Sequence, residues 1–256
     1  MSTITLGQFE LVYNAFSFTI ATMGAATLFL WFGRSQVSPY YRTALTISGL
    51  VTAIALYHYV RIFQSWDAAY VVTNGVVTPS GKAFNDAYRY VDWLLTVPLL
   101  LIELILVMKL SEAETWSKST RLGLLAAAMV ILGYPGEVST VASTKWFWWA
   151  AAMIPFAIIV YELYSGLGKS IASQPANVRG LIETARNLTV LSWCFYPVVF
   201  ILPMIGLSGS VAATGVQVGY TIADVVAKAV FGVVIYMIAV RKSEAESPRG
   251  GQVAMA

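Results

Sequence analysis

Apolar residues in this chain run on in blocks of twenty or more, separated by short polar connections. The blocks lie near residues 9–33, 42–64, 84–109, 119–138, 145–167, 181–205 and 213–240. Each reaches the roughly 20 residues needed to cross a bilayer's hydrocarbon layer. Backbone amides and carbonyls find no water in lipid, so such runs must satisfy their hydrogen bonds internally, as α-helices. The expected fold is an all-α membrane protein, a seven-transmembrane-helix bundle. Between the second and third blocks, Tyr70-Val71-Val72-Thr73 and Val76-Val77 flank Asn74-Gly75. Two β-branched runs about an Asn-Gly pair predict a short β-hairpin lying over the extracellular face. The pattern divides the chain into a membrane domain, residues 1–243, and a polar, Gly- and Pro-bearing cytoplasmic tail, residues 244–256, expected to be flexible.

Composition sharpens this picture. The 256 residues are 58% hydrophobic and 11% charged, with mean hydropathy +0.70. A soluble domain carries roughly 25% charged residues, so an ordinary water-soluble enzyme is excluded, and seven crossings leave no length for a second domain. The single cysteine, Cys194, can form no internal disulfide, and no cysteine pair exists to bind a metal, so no metal is expected. A net charge of +3 is too small to suggest a nucleic-acid partner. The basic residues report topology instead. Arg34, Arg42, Lys118, Arg121, Lys169, Arg179, Arg186, Arg241, Lys242 and Arg249 fall on one side, against Lys82, Lys145 and, at a helix end, Arg61 on the other. The positive-inside rule then puts the N-terminus outside and the C-terminus in the cytoplasm of an integral membrane protein. The first apolar block has spanning length and no basic segment ahead of it, so it reads as a helix rather than a cleaved signal.

Ionisable residues at membrane depth are costly and are functional candidates by default. Here they are His58 in the second block, Arg89, Asp92 and Glu103 in the third, Glu162 in the fifth, and Asp224 with Lys228 in the seventh. Eleven residues separate Asp92 from Glu103, about three whole helical turns, so the two share a face about 16 Å apart along the axis, with Thr96 about 40° away. That spacing suits a relay and is too long for one site. Asp224 and Lys228 stand at ion-pair spacing, i and i+4. Lys228 reads either as a structural cation neutralised by its partner or as the desolvated amine that forms a Schiff base with a carbonyl cofactor. His58 alone on an apolar helix reads as a hydrogen-bonded core residue, and Glu162, near a helix end, as a snorkelling one. Trp93 and Trp193 flank the same region, and Pro197 interrupts helical bonding where a cavity would need a bend.

Three motifs now stand together: Arg89-Tyr90-Val91-Asp92-Trp93-Leu94-Leu95-Thr96-Val97-Pro98-Leu99-Leu100, Trp193-Cys194-Phe195-Tyr196-Pro197, and Asp224-Val225-Val226-Ala227-Lys228. Along essentially its whole membrane-spanning length the chain resembles the microbial rhodopsins. The resemblance implies all-trans retinal bound covalently to Lys228 as a protonated Schiff base. It implies Asp92 as primary counterion and proton acceptor, Asp224 as second counterion, Arg89 steadying the outer half-channel and Thr96 bonding near Asp92. Glu103 takes the place of the cytoplasmic proton donor. Trp93 and Trp193 would sandwich the polyene, with Tyr59 and Tyr196 completing the pocket wall, and leucine at Leu100 points to green absorption. Asp92, Thr96 and Glu103 match the triad of outward proton pumps, which are light-driven ion transporters and not enzymes. Chloride and sodium pumps carry other residues at these places. His58 followed by Tyr59 is similar to proton pumps of the proteorhodopsin and xanthorhodopsin type, which moves His58 from core residue to partner of Asp92.

Phe84-Asn85-Asp86-Ala87-Tyr88 and Gly133-Tyr134-Pro135-Gly136-Glu137 resemble xanthorhodopsin-like and cyanobacterial pumps, and place Gly133 beside the chromophore. Two departures follow. Relatives with an antenna carotenoid have a glycine on the fifth helix where Trp149 stands in an ungapped alignment, so no antenna carotenoid is expected. The stretch from Ile201 to Gly219 contains no carboxylate, so an external glutamate pair for proton release has no counterpart. The family implies protons as cargo, the lipid bilayer as surroundings, and a homo-oligomer, trimer or pentamer. Two rival readings are a photosensor signalling through a partner, which commonly lacks a carboxylate at Glu103, and a seven-helix receptor or channel without retinal, which would be colourless because Lys228 would carry no chromophore.

Overall fold

Thr5 opens the first helix with a reciprocal cap: its hydroxyl accepts from the Gln8 amide at 3.2 Å, and Gln8 Oε1 accepts from the Thr5 amide at 2.9 Å. The computed structural model of the chain describes residues 3–247 other than Asp86 and Ser208. Seven helical spans follow, each over one of the apolar blocks: α1 Leu6–Gln36, α2 Pro39–Ala69, α3 Ala87–Met108, α4 Glu112–Val138, α5 Ala142–Ala172, α6 Ala176–Ile205 and α7 Ser210–Glu246. All seven are long and apolar enough to cross a membrane. Most run past the apolar blocks because interfacial polar residues continue the helix after the hydrophobic signal stops. α7 carries this furthest, reaching Glu246, three residues into the segment expected to be tail. The remainder of that tail, residues 248–256, lies outside the described residues, as does Asp86 of the run ahead of Arg89.

Between α2 and α3 the strands β1 Tyr70–Thr73 and β2 Val76–Pro79 pair antiparallel, Tyr70 opposite Pro79 and Thr73 opposite Val76. Asn74 and Gly75 turn the hairpin with φ of 52° and 78°. Two consecutive positive φ values make a type I′ turn, the reason an Asn-Gly pair stands there.

The helices are unequal in environment. About 56% of α3's and 61% of α7's most apolar stretch is buried inside the protein, against 28 to 33% for α1, α4, α5 and α6. α3 and α7 are therefore the central helices, and they carry Arg89, Asp92, Glu103, Asp224 and Lys228. The outer faces of the others present Phe18, Phe32, Leu124 and Leu191, apolar side chains suited to lipid. Without a hydrophobic drive between helices in lipid, small residues permit close approach. A Cβ on Gly33 would lie 2.8 Å from the Tyr236 ring of α7, and one on Gly49 would overlap the Trp31 indole. Prolines 98, 135, 155 and 197 sit inside α3, α4, α5 and α6. Two wider π-helical stretches interrupt the regular winding, Glu162–Gly166 in α5 and Val225–Val230 in α7. The second contains Lys228, and such bulges re-aim side chains at functional sites.

Candidate functional site

α7 delivers both members of the Asp224–Lys228 pair, and α3 brings Asp92 to the same point. Lys228 Nζ donates to Asp92 Oδ2 at 2.6 Å and to Asp224 Oδ1 at 2.5 Å, with all three side chains buried. Buried charges are tolerated when paired and hydrogen-bonded, and here one ammonium is shared by two carboxylates. Arg89, one turn along α3 from Asp92, is also buried, its guanidinium carbon 5.6 Å from the Phe16 ring centroid and 5.4 Å from that of Tyr220. The formal charges of Lys228 and Arg89 balance those of Asp92 and Asp224.

The two carboxylates differ in their donors. Asp224 accepts from Tyr59 Oη and Tyr196 Oη, each at 2.7 Å, from Trp93 Nε1 at 3.3 Å, and from Lys228. Asp92 receives Lys228 on Oδ2 alone. Its buried Oδ1 has no hydrogen-bond partner among the described residues, and His58 Nδ1 stands 3.7 Å away. Asp224 accepts from four donors, whereas Asp92 accepts at its carboxylate from Lys228 alone among the described residues.

Two expected contacts take a different form. Tyr59 is not among the residues that line the cavity; α2 turns its hydroxyl to Asp224. Thr96 Oγ1 donates to the Asp92 backbone carbonyl at 2.8 Å, the usual i−4 bond of a helical threonine. His58 Nδ1 lies 2.9 Å from the Ile54 carbonyl, again an i−4 bond within α2, so its approach to Asp92 is not a direct hydrogen bond. Glu162 does not simply snorkel: it pairs with Arg121 Nη2 at 2.9 Å.

Beside Lys228 the helices α3 to α7 line a cavity. Trp93, Leu100, Gly133, Trp149, Trp193 and Tyr196 line it, with Asp224 and Lys228 at its polar end. A Cβ on Gly133 would come within 3.3 Å of the Tyr90 ring, so glycine keeps that wall in place. Trp149 Nε1 donates to the Pro197 carbonyl at 3.2 Å, tying α5 to α6 across the wall. Aromatic and aliphatic walls ending at a single primary amine fit a long apolar ligand that carries one carbonyl. His58, Asp92 and Glu103 stand outside these walls.

Glu103 is fully buried further along α3, where Ser48 of α2 donates its hydroxyl to Glu103 Oε2. Behind Ser48, Thr52 Oγ1 bonds the Ser48 and Gly49 carbonyls and accepts from Thr27 Oγ1 at 2.8 Å. Ser48 escaped the reading of the sequence. Its signal was the spacing of Ser48, Thr52, Ala55 and Tyr59, which repeats every three to four residues along the buried face of α2.

Comparison with known proteins follows the same lines. A family described as bacteriorhodopsin-like protein matches residues 11–242. The green-light absorbing proteorhodopsin of Gamma-proteobacterium EBAC31A08 is 33% identical over 236 residues, covering 90% of this chain and 88% of that one. Bacteriorhodopsin of Halobacterium salinarum is 31% identical over 233 residues, covering 89% and 84%. Among solved structures, xanthorhodopsin, described as a light-driven ion pump with dual chromophore, superposes with TM-score 0.93 at 50% identity, covering 96% of this chain and 98% of that one. Shared sequence over nine-tenths of its length, together with a seven-helix bundle that closes on a buried lysine, makes this protein a member of the bacteriorhodopsin-like family of microbial (type 1) rhodopsins.

Proposed function

We propose that the protein is a light-driven outward proton pump that holds all-trans retinal through Lys228. The observation carrying this reading is the contrast between the carboxylates at Lys228 Nζ: Asp224 saturated by Tyr59, Tyr196 and Trp93, Asp92 open at Oδ1. The kinship with proteorhodopsin and with the ion pump xanthorhodopsin supports it. Retinal bound at Lys228 would supply light absorption and photoisomerisation. Trp93, Trp193 and Leu100, which line the cavity, would hold its polyene, and the apolar wall would keep water from it. The proton on Lys228 Nζ passes to Asp92 Oδ2, 2.6 Å away, while Asp224 stays ionised under its donors. Glu103, buried with the Ser48 hydroxyl on one oxygen, serves as the donor that later returns a proton toward Lys228 from the opposite side. The asymmetry along α3, an ionised acceptor at one depth and a donor about 16 Å away, gives the direction.

The test is the pH of an unbuffered suspension of cells that express the protein and are supplied with all-trans retinal, under green light. Outward pumping acidifies the medium, and a protonophore abolishes the change. Asp92→Asn should remove the signal, and normal acidification by that variant would refute the assignment of the acceptor. Coloured protein with no pH change in the parent would favour a sensor. Alkalinisation that a protonophore enhances would mean that another ion is moved.

A further inference from the structure

Away from the chromophore, α7 carries a third buried cation. Lys242 is more than nine-tenths buried. Its Nζ donates to the Val107 carbonyl at 3.1 Å, the Met108 carbonyl at 2.8 Å and Gln174 Oε1 at 2.7 Å. An ammonium has three donors, and all three are used. Val107 and Met108 end α3, which breaks at Lys109, a residue in the left-handed region with φ 56°. The carbonyls of a last helical turn have no partner within their own helix and carry the negative end of its dipole, so a cation there caps it. Gln174 sits in the turn between α5 and α6, itself more than nine-tenths buried and held by its Nε2 to the Ser170 carbonyl at 3.2 Å. One turn further along α7, Glu246 accepts from Tyr41 Oη at 2.6 Å and pairs with Lys109 at 3.0 Å.

Val107 stands one turn beyond Glu103 on α3, about 6 Å along the axis. Leu104, Val107, Met108, Ile182 and Ile238 are all buried and apolar and belong to one core cluster. Lys242 ties the end of α3, one turn past Glu103, to the α5–α6 turn.

We propose that Lys242 is a positioning residue of the cytoplasmic gate: by clamping the last turn of α3 to the α5–α6 turn, it sets the rate at which Glu103 exchanges its proton with the cytoplasm. This rests on the reading of Glu103 as the proton donor. The two carbonyl bonds anchor Lys242 to α3, and the bond to Gln174 is the one that must break for the turn to move. Lysine suits this place because a compact ammonium on a flexible stem can trade one acceptor for water.

The experiment uses full-length, retinal-loaded protein in nanodiscs. Flash absorbance follows the first transfer from Lys228 to Asp92, and a pH-indicator dye follows proton uptake. Gln174→Ala keeps the cap on α3 and should speed uptake about tenfold or more, the equivalent of one net hydrogen bond to a charged group. The first transfer should keep its rate. Lys242→Gln should speed uptake at least as much. In the dark, amide hydrogen exchange in the segment 103–110 should rise in both variants. Unchanged or slower uptake in Gln174→Ala overturns the proposal, as does a parallel change in both transfers, which marks a general loss of structure. Glu103→Gln is run alongside: if it leaves reprotonation unaltered, the donor reading fails and the gate falls with it. A slow Glu103→Gln with an unaltered Gln174→Ala rejects the gate alone.

Discussion

At the scale of single residues, the chemistry depends on which hydrogen bonds each acid is given. Asp92 and Asp224 share one lysine, yet four donors converge on Asp224 and one on Asp92. Removing the Tyr59 hydroxyl should therefore act through Asp224. Tyr59→Phe leaves a buried carboxylate oxygen short of a donor, and should cost about 1–3 kcal/mol, read as a lower temperature of thermal bleaching. An unchanged bleaching temperature would mean that the bond at 2.7 Å is dispensable. Glu103→Gln keeps the bulk and the bond from Ser48 but removes the ionisable group, so recovery of the proton by Lys228 should slow at neutral pH. A photocycle of unaltered speed would remove Glu103 from the relay. The charged residues themselves were legible, because a carboxylate or lysine inside an apolar run has few explanations. Their uncharged partners were not: serines and threonines are common in helices, and Ser48 declares itself only once α2 is set against α3. The same limit hid the partner of the Tyr59 hydroxyl, whose direction depends on helix rotation.

At the scale of elements, apolar length marked all seven helices and the Asn-Gly pair marked the hairpin, since both are local rules. Helix ends moved outward by several residues, as at Glu246, where Tyr41 and Lys109 hold the last turn. The π-helical stretch Val225–Val230 has no signature in composition, yet it sets where Lys228 points. The seam between α5 and α6 carries the next prediction. Trp149 lines the cavity and bonds the Pro197 carbonyl, and the sequence expectation is that its indole leaves no room for an antenna carotenoid. With a carotenoid supplied, the action spectrum of pumping should keep the retinal band alone. A second band at carotenoid wavelengths would show that the indole swings aside.

At the scale of the whole molecule, charge asymmetry and the odd number of spans place the two termini on opposite sides of the membrane, with the C-terminus expected in the cytoplasm. An epitope appended after Ala256 should be labelled by antibody only in permeabilised cells, and labelling of intact cells would invert the topology and the direction of pumping with it. Sequence alone determined the membrane class, the number of spans, the hairpin and the charged residues within the bilayer, because hydrophobic length and the cost of a buried charge are properties of short segments. The tertiary structure decided how helices rotate against one another. That rotation chose Asp92 over Asp224 as the open carboxylate, gave Glu103 its serine, and seated Lys242 against the end of α3. These contacts join residues from 55 to 136 positions apart. A hydrogen bond across that separation depends on a few ångströms of packing, which no pattern along one helix records.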